Sequence, residues 1–161
     1  MVVISDTSPI SNLIQIGRLE LLKELFGEII IPPFVAVEID NLSQFGVDLT
    51  AYHSAQWITI KSPKNLNFVR ELEDDLDKGE SEAIAVSREI NADLLIIDER
   101  LGTKKAQEFG LNTIGLLGCL IQAKQNSIIP LVKPIIEELE NIAGFYIGKK
   151  LRNRILQLVK E

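Results

Sequence analysis

Residues 2–9 read VVISDTSP, and this short stretch sets the class of fold that we expect. Its apolar run, residues 2–5, predicts a buried strand that ends at turn-forming residues. Residues 94–100, LLIIDER, repeat the arrangement, with Asp98 following the apolar run as Asp6 follows the first one. The feature to explain is a carboxylate placed where a buried strand has just ended.

Short apolar runs alternate with helical periodicity along the rest of the chain. EIII at residues 28–31, WITI at 57–60 and NTIG at 112–115 predict further strands. Between them the spacing predicts helices, the first with Ser8 as its cap and Pro9 at its first position. Strands that alternate with helices predict an α/β fold with parallel pairing and helices on both faces of the sheet.

Composition and charge narrow the class of protein. The 161 residues predict one domain, and without a basic leader or an apolar run of membrane length we expect a cytoplasmic protein. The net charge of −6 argues against a DNA-coating protein but is compatible with an enzyme whose site is built from carboxylates. Cys119 lies among leucines and is expected to be core, and His53 has no second histidine with which to share a metal.

Several acids are candidates to meet Asp6 and Asp98, because ligands of parallel sheets bind beyond the carboxyl ends of the strands. Glu38 lies in the helix after the second strand, and Glu80 and Glu82 lie in the first turn of the helix before LLIID. Converging carboxylates must take up protons or share a cation, and oxygen ligands alone favour Mg²⁺ or Mn²⁺. Taken singly, each acid is equally explained as a turn, cap or solvated helix residue.

Four segments in this order resemble the PIN-domain family: SDTSPI at 5–10, IIPPFVAVEI at 30–39, GESEAIAVS at 79–87 and LLIIDER at 94–100. The likeness is strongest to the small prokaryotic branch that includes VapC-type toxins, and it runs to about Gly148. It implies a three-layer α/β/α sandwich with a central, mostly parallel sheet. We expect residues 1–148 to form this PIN-like nuclease domain, and residues 149–161 to form a basic amphipathic helix packed on it.

The resemblance also implies an activity, a Mg²⁺- or Mn²⁺-dependent endoribonuclease that hydrolyses RNA phosphodiester bonds, and a role as the toxin of a type II toxin–antitoxin pair. Asp6 matches the first acid of the family, Glu38 the second, and Asp98 the acid after the later strand. The third acid, usually an aspartate, is open between Glu80 and Glu82. The usual length of helix plus strand before Asp98 favours Glu80.

Further residues are expected to support this site. Thr7 matches the small hydroxyl residue beside the first acid, and we expect it to hold Asp6 or a metal-bound water. Asn12, one helical turn beyond Ser8, is expected to face the same pocket. The residues expected to hold the RNA backbone follow Asp98 in the chain: Arg100, Lys104 and Lys105. A second basic group stands near the C-terminus, where it also suits a solvated helix face: Lys149, Lys150, Arg152 and Arg154.

By resemblance, family members form homodimers, and toxins are held inactive by a small antitoxin protein.

Two other functions stay open at this level. A catalytically weak PIN-like module that binds RNA or protein without cleavage is the main alternative. A phosphoacceptor domain is a third hypothesis, which lacks the expected lysine at a strand end, and neither GxGxxG nor a P-loop motif occurs.

Overall fold

The computed structural model describes residues 1–161 as a single α/β unit with five strands and ten α-helices. The strands are short, as expected for a parallel sheet that is covered on both faces. They are β1 Val3–Ser5, β2 Ile29–Ile31, β3 Ile58–Ile60, β4 Leu94–Ile96 and β5 Thr113–Ile114. The helices are α1 Thr7–Gln15, α2 Glu20–Phe26, α3 Pro33–Asn41, α4 Thr50–His53, α5 Leu66–Glu73, α6 Lys78–Glu89, α7 Arg100–Glu108, α8 Leu116–Gln125, α9 Lys133–Asn141 and α10 Lys149–Leu158, with a 3₁₀ turn at Leu42–Phe45.

All strand pairs are parallel, and the strand order is β3-β2-β1-β4-β5. The chain therefore builds the sheet outward from β1 through β2 to β3, and then returns to the other side of β1 with β4 and β5. The order reverses between β1 and β4, which pair in the register Ser5 to Ile96. This reversal opens a crevice at the carboxyl ends of β1 and β4, the usual ligand position in such sheets.

Alternating side chains of the strands feed two separate cores, which confirms the expected α/β sandwich. Val3 packs into the larger core, a cluster of 27 buried residues to which α1, α2, α3, α8, α9 and α10 contribute. Ile4 points to the opposite face and packs into a cluster of 10 buried residues with α5, α6 and α7. Each face of the sheet is thus covered by its own layer of helices.

The first helix begins earlier than the sequence predicted. We expected Ser8 to be the cap and Pro9 the first helical residue, whereas α1 starts at Thr7 and Asp6 occupies the N-cap position. The Asp6 side chain makes no capping hydrogen bond, so its carboxylate oxygens are available to bind other groups. The prediction failed because Asp6, Thr7 and Ser8 are all residue types that favour a helix N-cap, so the pattern does not tell which of them precedes the helix.

The C-terminal helix α10 packs Ile155 into the larger core, followed by Val159 just beyond the helix. Leu151 and Leu158, two further apolar residues of the same helix, remain exposed. Cys119 is fully buried in α8, and burial raises the pKa of its thiol to about 12. None of the helices combines the length and the apolar composition that a membrane crossing requires.

Candidate metal centre

An acidic cleft of about 510 Å³ opens at the reversal point of the sheet. It has no apolar lining residue and no lysine or arginine in its wall. None of its carboxylates forms an ion pair elsewhere in the protein. The cleft is lined by Asp6, Thr7, Ser8, Ser11, Glu38, Asp77, Glu80, Asp98 and Glu99.

Asp6 lies at the floor of the cleft, immediately after β1. Its backbone N–H donates to the carbonyl oxygen of Ile96 over 2.9 Å, which extends the β1–β4 pairing by one residue. The residue is only 5% exposed. The end of the sheet therefore fixes the position of a carboxylate that a surface loop would leave solvated.

Asp98 lies on the other side of the reversal point, two residues beyond β4. Its Oδ1 accepts a hydrogen bond of 2.7 Å from the backbone N–H of Leu116, the first residue of α8. A β-carbon at Gly115 would stand 2.7 Å from the same oxygen, so this carboxylate needs the glycine. The other oxygen, Oδ2, is buried and has no hydrogen-bond partner. An unpartnered buried carboxylate oxygen is costly unless a donor or a cation completes it.

Glu38 reaches the cleft from the second turn of α3. Its Oε1 accepts a hydrogen bond of 2.8 Å from Thr7 Oγ1. We expected Thr7 to hold Asp6 or a metal-bound water. Its hydroxyl donates to Glu38 rather than to Asp6, and the contact with a metal-bound water stays a prediction. Gly79 provides the room, because a β-carbon there would clash with Glu38 Oε1 and would lie 3.5 Å from Asp6 Oδ1. Two carboxylates from distant parts of the chain thus share the space that one glycine leaves.

Glu80 enters from the first turn of α6 and is 7% exposed. Its backbone N–H donates to Asp77 Oδ1 over 2.8 Å, so Asp77 caps the helix and lines the cleft as well. Glu99 caps α7 in the same way through Leu101 and Gly102. A β-carbon at Gly102 would lie 3.3 Å from Glu99 Oε2 and 3.6 Å from Glu80 Cδ. Sequence reasoning missed Asp77 and Glu99, although the D-x-x-E pattern at residues 77–80 is a signal of a capped helix.

Glu82 does not join the cleft, although it stands two residues beyond Glu80. Its Oε1 accepts a hydrogen bond of 3.3 Å from the backbone N–H of Phe34, at the start of α3. Residues two apart on a helix point in different directions, and here Glu80 lines the acidic cleft whereas Glu82 lines a separate depression of the surface. Of the two candidates for the third acid, the structure brings only Glu80 to Asp6, Glu38 and Asp98.

The remaining predicted residues do not line the cleft. Asn12 Nδ2 donates to Ser8 Oγ over 3.2 Å, so it contacts a residue of the wall without lining the cleft itself. Arg100 and Lys104 are exposed on α7. Lys105 lies 4.0 Å from Asp75 and 3.8 Å from Glu108, which offset its charge.

Burial raises the pKa of all four candidate ligands, and the charges of neighbouring acids raise it further at Asp6, Glu38 and Glu80. Burial raises the pKa of Asp6 to about 7, and the charges of Asp77, Glu38 and Asp98 add to it. Burial and the charges of Asp77, Asp6 and Glu99 raise the pKa of Glu80 to about 8. Burial likewise raises the pKa of Glu38 and of Asp98. Near neutral pH the cleft alone thus retains protons that a divalent cation would displace.

The donor set suits a hard divalent cation, which the fold class also implies. All candidate ligands are carboxylate oxygens, one of them the buried and unpartnered Oδ2 of Asp98. As the side chains stand, no group of three or more is arranged to hold an ion. The chemistry of the donors and the room left by Gly79, Gly102 and Gly115 therefore fit such an ion, and the carboxylates must adjust to bind it.

A doubly wound parallel sheet with an acidic cleft at its reversal point places the carboxylates where ligands of such sheets bind. Comparison with known families agrees: the family model DUF3368, described as a PIN domain, matches residues 2–161. The chain belongs to the PIN-domain family. The PIN domain is a nuclease-type fold whose members generally use divalent metal ions.

A solved structure supports the same assignment. A PilT N-terminus domain protein from the hyperthermophilic archaeon Sulfolobus solfataricus P2 aligns with a TM-score of 0.51 and 25% identity. The alignment covers 74% of this chain and 90% of the archaeal chain. No curated protein matches the chain. The family resemblance of the sequence is confirmed, and its assignment to the VapC-type branch stays a prediction.

Proposed function

We propose that this protein is a Mg²⁺- or Mn²⁺-dependent endoribonuclease that hydrolyses RNA phosphodiester bonds. The observation that carries the proposal is the meeting of Asp6, Glu38, Glu80 and Asp98 in one cleft, with no basic residue to neutralise them. An acid cluster of this kind is expensive for the fold unless cations bind it. It is therefore better explained by function than by stability.

In this proposal, the four carboxylates hold the divalent cation, which when bound activates water and stabilises charge at the phosphorus. Thr7 orients Glu38 through its hydroxyl, and the N–H of Leu116 orients Asp98. Asp77 and Glu99 add negative charge that favours cations in the cleft. Their own oxygens accept backbone hydrogen bonds, so they act as positioning residues for α6 and α7.

The biological role that we propose is that of a toxin of a type II toxin–antitoxin pair, acting in the cytoplasm. This follows from the sequence resemblance to the toxin branch rather than from the cleft. The same resemblance suggests a homodimer and a small antitoxin protein as partners. Growth arrest upon expression, relieved by Asp6→Asn, is the expected cellular outcome, and light scattering of the purified protein measures the dimer.

A catalytically weak PIN-like module is the second candidate. One observation favours it: no three acids are arranged to hold an ion as they stand. In addition, the third acid is Glu80, where the family usually has an aspartate, and the added methylene loosens the geometry of metal binding. Such a protein would bind RNA or protein without hydrolysing it.

A cleavage assay on labelled single-stranded RNA separates the two candidates. We expect cleavage with Mg²⁺ or Mn²⁺, none with EDTA, and a loss of roughly a hundredfold or more in Asp6→Asn. Glu24→Gln is the matched control, because Glu24 is an exposed acid on α2 outside the cleft. Equal activity of wild type and Asp6→Asn would contradict the nuclease, and inactivity of both would favour the module.

A further inference from the structure

A second hollow, of about 340 Å³, lies at the same edge of the sheet as the acidic cleft, beyond the ends of β2 and β3. Pro33 borders it after β2, and Ser62 and Pro63 border it after β3. The first turns of α6 separate the two depressions, because Glu80 faces the cleft while Lys78 and Glu82 line the hollow. A strand of RNA in the cleft would pass this second hollow as it crosses α6.

Glu82 is the unusual group in the wall of this hollow. The residue is only 6% exposed, and its Oε1 accepts the hydrogen bond from Phe34 that completes the start of α3. Proline at the N-cap and first positions gives α3 no cap of its own. The second oxygen, Oε2, is shielded from solvent and accepts no hydrogen bond. A buried carboxylate with one free oxygen lacks a donor that a ligand can supply.

Four cations that form no ion pair either line the hollow or adjoin its lining residues in the chain. Arg70 and Lys78 line it, and Lys61 and Lys64 flank the loop residues Ser62 and Pro63. None of these four cations forms an ion pair in the structure. By contrast, Lys105, expected to hold RNA, is offset by two acids. Free cations at this edge suit the phosphates of a strand that continues from the cleft.

We propose that this hollow binds a nucleobase of the RNA strand next to the scissile phosphate, and that Glu82 Oε2 accepts a hydrogen bond from the exocyclic amino group of that base. The base reaches Oε2 by displacing the exposed side chain of Lys78. The inference rests on the proposed function for its ligand, and it makes Glu82 a residue that determines specificity rather than a metal ligand.

The chemistry of the hollow selects among bases. Cytosine, adenine and guanine each present an amino group, whereas uracil presents carbonyl oxygens on either side of its single N–H. A carboxylate oxygen attracts the first kind of edge and repels the second. Pro33, Leu66 and Val69 offer the flat and apolar contacts that a base needs. A basic peptide is the less favoured occupant, because the cations Arg70 and Lys78 offset the charges of Glu73 and Glu82 in the same wall.

The test is equilibrium binding of two RNA hexamers, oligocytidine and oligouridine, which differ at each base chiefly in an amino group against a carbonyl oxygen. Measurements in EDTA prevent metal-dependent cleavage and leave the hollow intact. We expect the wild type to bind oligocytidine about tenfold more tightly than oligouridine. In Glu82→Gln, the amide keeps the acceptor for Phe34 and replaces Oε2 by a donor, so we expect the preference to vanish or reverse.

Glu73→Gln is the matched control, since Glu73 lines the same hollow but is exposed, and it should keep the preference for oligocytidine. Equal affinity of the wild type for both hexamers would overturn the inference, as would an unchanged preference in Glu82→Gln. Binding of a basic peptide that depends on Glu82, without binding of either RNA, would also overturn it. Cleavage by wild type and Asp6→Asn tests the nuclease separately, so the two failures are distinguishable.

Discussion

Asp6 shows how the burial of a single carboxyl group can oppose folding. In the unfolded chain its carboxyl ionises near its usual pKa of 3.8, whereas burial and the neighbouring acids raise the folded pKa to about 7. The folded state therefore binds the proton more tightly than the unfolded state. The associated stability is complete below pH 3.8 and is lost as the pH rises toward 7.

Replacement of Asp6 by Asn should consequently stabilise the metal-free protein at high pH. We expect the free energy of unfolding of Asp6→Asn to exceed that of the wild type by roughly 4 kcal/mol at pH 8. The difference should shrink toward pH 4, where both side chains are neutral. Urea denaturation in EDTA across this range measures it, and a wild type that is the more stable protein at pH 8 would contradict the account.

Thr7 provides a second test at the level of one hydrogen bond. Replacement by Val removes the hydroxyl that donates to Glu38 Oε1 while keeping the shape of the side chain. We expect the affinity for Mn²⁺ to fall about tenfold, because a ligand that has lost its orienting partner binds more weakly. Calorimetric titration measures the affinity. Thr7→Ser should bind nearly as the wild type, and equal losses in both variants would point to a packing role.

The sequence identified most of the cleft residues, for a reason visible in Asp6 and Asp98. Both directly follow an apolar run that contains a strand, and parallel strands bring their carboxyl ends together whatever lies between them in the chain. Glu80 and Glu82 could not be separated with certainty, because helical phase depends on where α6 begins. Asp77 and Glu99 were missed because a role as a helix cap is enough to explain each residue and gives no reason to place it in the cleft.

At the scale of elements, the glycines at the starts of three helices make the cleft possible. Gly79 of α6 and Gly115 before α8 each leave space that a carboxylate occupies, and Gly102 of α7 leaves space for Ile97 and, slightly farther away, for Glu99. None of the three needs a positive φ angle, so their role is room for neighbours rather than backbone freedom. The sequence shows these glycines but not the distant side chains that fill the space beside them.

Gly79→Ala tests whether the carboxylates need the space that this glycine leaves at the start of α6. The added methyl group would clash with Glu38 Oε1, so we expect Mn²⁺ affinity and RNA cleavage to fall by roughly tenfold or more while the helix itself is retained. Gly148→Ala is the control, because nothing lies nearer than 4.0 Å to a β-carbon there. Normal activity of Gly79→Ala would show that the carboxylates do not need this space.

Strands and helices were predicted better than their ends. The strand at residues 94–96 and its neighbours were recognisable from continuous apolar runs, because both faces of the sheet are buried. The start of α1 was misplaced, since Asp6, Thr7 and Ser8 all favour a helix cap. The strand order was not derivable from periodicity, because it depends on the contacts of the two cores.

For the whole molecule, the net charge of −6 includes the acids that gather in the cleft. A negative net charge therefore does not by itself exclude a protein that acts on nucleic acid. Free cations border the hollow beside the cleft, whereas several other basic residues are paired with acids. Net charge alone could not predict this segregation, because it depends on which loops the fold brings to one edge. The same fold gathers the acids in one cleft, where burial favours either bound protons or a bound cation.

Divalent cations should therefore stabilise the whole protein. At a concentration of Mn²⁺ about 100 times its dissociation constant, we expect a gain of roughly 2.7 kcal/mol and a higher melting temperature. The gain should be largest at pH 8 and should decline toward pH 5, where protons compete for Asp6 and Glu80. Calorimetric scans with Mn²⁺ or EDTA measure it, and an equal gain in Asp98→Asn would place the ion elsewhere.

The most direct measurement is a crystal structure of the protein with Mn²⁺, located by its anomalous scattering. The account predicts manganese in the acidic cleft, within about 2.2 Å of oxygens of Asp98 and Asp6, with Glu80 turned toward the ion and Glu82 remote from it. Crystals saturated with Mn²⁺ that show no ion in this cleft, or manganese held by Glu82 in place of Glu80, would contradict it.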